Sequence, residues 1–236
     1  MQKPEDKTKK LKGFDLLYEV SRAIASNRYL EEILLLVVGM TAELMGSKVC
    51  SLMLLDEEKR ELVIKATQSL SENYRTKPPI KVGESVSGRA VQKKEPITVL
   101  NVTRESGYSY PEIARTEGLC SLVSVPLMIR SRVIGVLNCY TTVEREFSEE
   151  EIKLLAGVAN QAAVAIENTQ LLAEKIAAVE ALETRKRVEK AKGILMKHHR
   201  LSEAEAYRML QKQSMEKRHS LKEIAEAIIM AEDIVH

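Results

Sequence analysis

The residues best suited to meeting a ligand are gathered in one short stretch, Arg185–Arg200, where seven basic residues stand against one acid, Glu189. On an α-helix each residue advances about 100°, which brings Lys186, Lys190, Gly193 and Lys197 within about 60° of one another. Arg185, Lys192 and Met196 fall on a neighbouring side. Lysines at i, i+4 and i+11 form the kind of row a polyanion backbone binds, because its phosphates are spaced along a line. Gly193 costs about 1 kcal/mol of helix propensity relative to Ala. In the middle of that row, its missing side chain admits close approach by a partner backbone or base. Tyr207 offers a ring on which a splayed base can stack; taken alone, such a ring is more often a core aromatic. A solvated charged face with a tolerated glycine is the plainer alternative. The crowding of bases around a single acid weighs against it.

Other chemistries are excluded by what is missing. All four histidines lie at 198, 199, 219 and 236. Residues 1–197 therefore hold no His-ligated haem, His-rich zinc site or Ser-His-Asp triad. The three cysteines, Cys50, Cys120 and Cys139, form no CxxC pair. Cys50 and Cys139 sit in apolar runs and read as buried thiols. No catalytic constellation, metal site or cofactor is expected. The odd cysteine count, with a polar start (MQKPEDKTKK) lacking an apolar signal core, fits a reducing cytoplasm. The longest apolar run, Ile33–Val38, falls far short of the roughly 20 residues that span a bilayer.

The elements that position the basic stretch are read from periodicity. With 236 residues, the chain has room for one large domain, or one domain plus a small module. Residues 1–182 carry 24 basic and 25 acidic residues, and 183–236 carry 12 and 9. A solvated tail is expected over the first dozen residues. Phe14, Leu17, Tyr18, Ser21 and Ile24 recur at helical spacing, as do Leu30, Ile33, Leu34, Val37, Val38, Thr41 and Leu44, the second set stopping at Met45-Gly46. The texture then turns β-like. Lys48–Leu55 with Glu61–Gln68, and Ser121–Ile129 with Val133–Tyr140, read as two hairpins. Between them come a turn entering a short helix at 82–91, a short strand at Pro96–Leu100, and a polar stretch, 101–118, expected as a long loop. This order is α+β with a central antiparallel sheet flanked by helices. It lacks the repeated βα alternation of a doubly wound sheet and the acidic pair of a phosphoacceptor receiver.

From Phe147 to about Ala181 the pattern is one long helix, opened by the capping box Ser148–Glu151. Leu155, Ala162, Thr169 and Ile176 repeat every seven residues, as do Val158, Ala165, Leu172 and Val179. This a/d seam predicts a coiled-coil dimer; a helix packed only on its own domain is the alternative. Further boxes at Ser202–Glu205 and Ser220–Glu223 divide the tail into helices over roughly 183–199, 202–217 and 220–234. Their apolar stripes are Val188, Ala191 and Leu195; Ala206, Met209 and Leu210; and Ile224, Ala227, Ile228, Ala231 and Ile234. Such a three-helix bundle is marginal alone and gains from dimerisation.

Two resemblances follow. The run Arg185-Lys186-Arg187-Val188-Glu189-Lys190-Ala191-Lys192-Gly193-Ile194-Leu195-Met196, followed by Glu205-Ala206-Tyr207 and Leu210, resembles the ANTAR domain. That resemblance implies a three-helix RNA-binding module of a bacterial transcription antiterminator. Such modules act as dimers on paired short-loop hairpins, whose formation excludes a terminator. It places Arg185, Ala191, Lys192, Gly193, Met196 and Tyr207 on the matching motif. Lys186, Lys190 and Lys197 come from the helical wheel alone. The region of about 14–170 resembles a GAF domain in its order of elements and in Val82-Gly83-Glu84-Ser85-Val86-Ser87-Gly88-Arg89-Ala90, Ser124-Val125-Pro126-Leu127 and Val133-Ile134-Gly135-Val136-Leu137, through to the long helix opening at Phe147-Ser148. That implies a sensory or dimerising module with a pocket between sheet and loops, for an unidentified small-molecule effector. The N-K-F-D-E signature of cyclic-nucleotide binders is absent. The resulting division is a tail over 1–13, a sensor over 14–150, a signalling and dimerisation helix over 147–182 and an RNA-binding bundle over 183–236. A DNA-binding helix-turn-helix tail and a GAF-fold free methionine sulfoxide reductase are the rivals.

Overall fold

The computed structural model describes residues 13, 15, 17–22, 29–69 and 71–235. The expected tail over residues 1–12, and Phe14 and Ile24 of the first helical pattern, lie outside the described residues. Residues 17–22 of that pattern are helical. The chain forms two compact units, residues 1–169 and 170–236.

The first unit is built on a six-stranded antiparallel sheet. Its strands are β1 (Val49–Asp56), β2 (Glu61–Thr67), β3 (Ile80–Lys81), β4 (Ile97–Val99), β5 (Leu122–Ile129) and β6 (Arg132–Tyr140). They lie in the order β3-β2-β1-β6-β5-β4. Both expected hairpins are present, and the charged turns between their strands include Arg60 and Arg130 at φ of 55° and 54°. β1 and β6 pair in register, Cys50 opposite Cys139 and Ser51 opposite Asn138. Gly135 of β6 is required here, since a Cβ would sit 2.3 Å from the Met53 carbonyl oxygen.

Strand alternation separates two sheet faces. Cys50, Leu52, Leu137 and Cys139 point to one side. There they join helix α1 (Leu30–Met45) and the first turns of a long helix through Ile33, Val37, Leu155, Val158, Ala162 and Ile166. α1 ends at Gly46 in the left-handed region, φ 57°, with Ser47 N–H donating to Ala42 O at 2.8 Å. The other side carries Val49, Ser51, Met53, Val136, Asn138 and Tyr140. It is covered by α2 (Glu72–Arg75), α3 (Ser85–Lys93), α4 (Pro111–Glu117) and their loops. The expected long loop over 101–118 is therefore interrupted. Pro111, preset for a first helical turn, starts α4, and Gly118 ends it.

The long helix, α5, runs unbroken over Glu149–His199. The segment expected as a separate helix from 183 is its continuation, because no proline interrupts the chain before Ser202. Its opening box is made: Glu151 N–H donates to Ser148 Oγ at 3.2 Å and Ser148 N–H to Glu151 Oε2 at 3.0 Å.

The predicted seam divides in two. Leu155, Val158, Ala162 and Ala165 are at most 3% exposed in the first unit's core. Their side chains are spent on the chain's own sheet, which corrects the reading of them as partner contacts. Thr169 is exposed, its Oγ1 donating to Ala165 O at 2.9 Å. Leu172, Ile176 and Val179 are 51–58% exposed, with Leu171 and Leu182 beside them at 53%.

The second unit packs the end of α5 with α6 (Glu203–Lys217) and α7 (Leu221–Val235) around Val188, Ala191, Leu195, Ala206, Leu210, Ile224 and Ala225. Both remaining boxes form, Glu205 N–H reaching Ser202 Oγ at 3.4 Å and Glu223 N–H reaching Ser220 Oγ at 3.2 Å. The serine bonds hold both carboxyls below their ordinary range. Met209, Ala227 and Ala231, expected on apolar stripes, are exposed, and Ala225 takes the inward position in α7. The Ile234 side chain lies outside the described residues.

Candidate nucleic-acid interface

On the last turns of α5 the helical period sorts the basic residues by neighbour. Val188, Ala191 and Leu195 turn inward. Ala191 is 0% exposed. This corrects its reading as an RNA contact, because its methyl group has no surface to offer a ligand.

On one flank of that core, Lys192 is only 7% exposed although charged. Its ammonium donates to Glu203 Oε1 at 2.7 Å and to Glu189 Oε1 at 2.9 Å. The Glu203 bond first, then the Glu189 bond, raises the Lys192 pKa, and Lys192 in turn lowers that of Glu203. The same ammonium lies 6.0 Å from the centre of the Tyr207 ring. Tyr207 is 39% exposed, so it is not a core aromatic. Together with Arg185, Val188, Glu189 and Ala204, these two residues line an open groove between α5 and α6. Arg185 is exposed and has no ion-pair partner among the described residues. Met196, 37% exposed, falls on the same flank by helical angle. The arrangement gives a fixed cation, a free guanidinium and an aromatic face side by side. Those are the groups that meet phosphate and base.

The second set, Lys186, Lys190, Gly193 and Lys197, faces away from the core, all exposed. Apart from its own stretch of helix backbone, no atom of the described residues lies within 4 Å of where a Gly193 Cβ would be, so the gap in the row is open to a partner. The row is not unopposed, however. Lys186 meets Glu183 at 3.3 Å, Lys190 meets Asp233 at 3.8 Å and Lys197 meets Glu232 at 4.0 Å. Arg187 pairs with Glu226, and His198 Nε2 lies 2.6 Å from Glu232 Oε2. The acids of α7 were invisible from the basic segment alone; they stand far along the chain, and only bundle packing brings them over. Exposed pairs of this kind contribute about 0–1 kcal/mol each, so a phosphate backbone competes with them readily.

In the first unit, Cys50 and Cys139 Sγ atoms lie 3.5 Å apart, both fully buried. Burial pushes the Cys50 thiol up. Cys120 is pushed up too, by burial first and then by Glu144. Both shifts favour the thiol, the weaker nucleophile of the two forms, over the thiolate. No group of three or more His, Cys, Asp or Glu able to hold a metal occurs among the described residues.

Comparison with known proteins separates the same two parts. Residues 27–167 match the GAF domain family, and residues 177–229 match the ANTAR domain. The methyl sulfide methyltransferase-associated sensor of Methanosarcina acetivorans is 29% identical over 173 residues, covering 70% of this chain but 17% of its own length. The transcriptional regulatory protein PdtaR of Mycobacterium tuberculosis is 40% identical over 63 residues, 27% of this chain and 31% of its own. The chain thus spans less than a third of either relative. Among solved structures, the GAF domain of a phosphoenolpyruvate-protein phosphotransferase from Coxiella burnetii superposes with a TM-score of 0.63 at 23% identity, covering 70% of this chain and 98% of that domain. At that identity the likeness concerns the fold.

Proposed function

The chain belongs to the GAF domain family and carries an ANTAR domain behind it, and from that premise we propose that it is a transcription antitermination regulator. The second unit binds RNA folded as paired short-loop hairpins, and the first unit controls that binding in response to a small-molecule effector. The observation that carries the reading is the groove of Arg185, Lys192 and Tyr207. Lys192 is held by two carboxylates against a half-exposed ring, and Arg185 stands free beside it. Tyr207 stacks an unpaired loop base, while Arg185, Lys186, Lys190 and Lys197 meet the phosphates. Gly193 lets the backbone approach. Lys192, already bonded, positions the ring and adds its charge. Formation of the hairpin complex withholds that RNA from a terminator.

The protein acts as a dimer in the cytoplasm. Among the described residues no helix is long and apolar enough to cross a membrane. Leu172, Ile176 and Val179 lie about half exposed at heptad spacing on α5, as a coiled-coil seam does in a lone chain. A sensor state that alters the packing of this seam changes the spacing of the two RNA-binding bundles. The rival DNA-binding reading fits less well, since a helix-turn-helix inserts its second helix into the groove and the basic residues here lie on the first helix of the bundle. A reductase is disfavoured by the thiols described above.

Recovery and sequencing of RNA bound to the full chain tests the proposal. Paired short hairpins ahead of terminators are expected, and a Tyr207→Ala variant should lose them. Recovery of the same RNA by both proteins, or of no structured RNA by either, would overturn it.

A further inference from the structure

The sheet face turned away from α1 hides a second set of chemical groups, none of which the RNA reading uses. Lys77 follows α2 and precedes Pro78-Pro79. It is 8% exposed. Its ammonium lies 4.1 Å from the centre of the Tyr74 ring, 5.8 Å from that of Tyr110 and 6.0 Å from that of Tyr140. No carboxylate pairs with it among the described residues. Burial alone pulls its pKa from 10.5 down to about 7, with no nearby acid holding it up. A cation enclosed by rings and left without an anion is expensive to bury.

The floor beneath Lys77 is polar as well. Tyr74 Oη and Ser51 Oγ are 2.8 Å apart, and Ser51 stands opposite Asn138 in the β1–β6 register. Asn138 lies two residues from Tyr140 on the same face. Its Oδ1 accepts from Ser124 at 2.6 Å and from Ser87 at 2.9 Å. Its Nδ2 is buried with no hydrogen-bond partner among the described residues. Buried donors are normally satisfied, so two groups on this face of the sheet, the Lys77 ammonium and the Asn138 amide, both call for acceptors.

The outer wall is made of irregular chain held by side-chain hydrogen bonds. Tyr108 and Tyr110 come from the stretch between β4 and α4, which has no regular structure before Pro111. Tyr110 is latched by its hydroxyl, which donates to Pro78 O at 2.7 Å. Tyr108 donates to Tyr140 Oη at 3.2 Å.

We infer that this face of the sheet is the sensor's ligand site and that it takes a small organic carboxylate. The carboxylate pairs with Lys77, the apolar body rests on the tyrosine rings, and a second oxygen accepts from Asn138 Nδ2. The inference rests on the reading of the first unit as a sensor and names the class of compound it senses. Phosphate supplies at least as much negative charge but offers no apolar body to three rings.

Titration of the full chain with acetate, 4-oxopentanoate and inorganic phosphate tests it. Tyrosine fluorescence reports binding without interference, because the chain has no tryptophan. The expected order is 4-oxopentanoate tighter than acetate, and both tighter than phosphate. Lys77→Met should weaken both carboxylates at least tenfold, and Lys77→Arg should retain part of the affinity, excluding a mere folding defect. Equal affinities in wild type and Lys77→Met, phosphate binding as tightly as the carboxylates, or no carboxylate binding would overturn the inference. RNA affinity read in the same samples reports separately on the sensor reading: a carboxylate that binds through Lys77 supports the site whether or not RNA affinity moves.

Discussion

Replacing Lys77 by methionine should make the protein more stable at neutral pH, by an amount that shrinks as pH rises. The buried ammonium has its pKa lowered from 10.5 to about 7. A displacement of that size corresponds to about 5 kcal/mol of differential interaction. Part of the gain is offset, because methionine forfeits the attraction of the ammonium to the Tyr74 ring, about 1–2 kcal/mol in a desolvated setting. The net expectation for Lys77→Met is a stabilisation of about 3–4 kcal/mol below pH 7. The sign follows from proton counting. Between pH 7 and 10.5 the unfolded chain holds a proton on Lys77 that the folded chain has released, so wild-type stability climbs with pH, by up to about 1.4 kcal/mol per pH unit. Below pH 7 both states are protonated, and the full penalty applies. The groups facing Lys77 do not confuse the result, because burial raises the hydroxyl pKa of Tyr74, Tyr108, Tyr110 and Tyr140 alike. They stay neutral throughout. Urea denaturation of both proteins at pH 6, 7, 8, 9 and 9.5, followed by far-ultraviolet circular dichroism, measures the gap, with other titrations cancelling in the difference. A gap that does not change with pH, or a wild type more stable than the variant at pH 6, would refute the reasoning.

Three further outcomes are expected. Gly193→Ala meets empty space and should raise the stability of the second unit by up to about 1 kcal/mol in thermal melting, while lowering RNA affinity in a titration. Gly135→Ala sets a methyl group 2.3 Å from the Met53 carbonyl and should cost about 1–3 kcal/mol in urea denaturation; an unchanged midpoint would contradict the sheet register. Ile176→Lys, at a residue 52% exposed, should weaken dimerisation at least tenfold in sedimentation without lowering helix content, and an unaffected dimer would remove α5 from the interface.

The sequence was most legible where short-range chemistry decides. The three serine–glutamate boxes, the Gly46 stop and the two hairpins all depend on residues within a few positions of one another, and each formed. It was less legible where distant segments meet. Ala191 looks like part of a basic surface until α6 and α7 enclose it. Leu155 and Ala162 fit a dimer seam equally well as a domain core, since both need an apolar residue every seven positions. Only the sheet above them decides between the two. The acids Glu226, Glu232 and Asp233 could not be placed against the lysine row before the bundle's packing was known. Lys77 carried no signal at all, being one lysine before two prolines. Its meaning arises from tyrosines on β6, α2 and the β4–α4 connection that only the fold assembles.

The central claim is that the α5–α6 groove reads hairpin RNA by stacking a base on Tyr207 beside Arg185. Its most direct test is the affinity of the full chain for a synthetic two-hairpin RNA at one fixed salt concentration, compared with that of Tyr207→Leu, which keeps an apolar side chain in the groove but removes the aromatic face. The expected loss is about 1–3 kcal/mol, roughly fivefold to a hundredfold, with the melting temperature unchanged. Equal affinity of the two proteins for that RNA would contradict it.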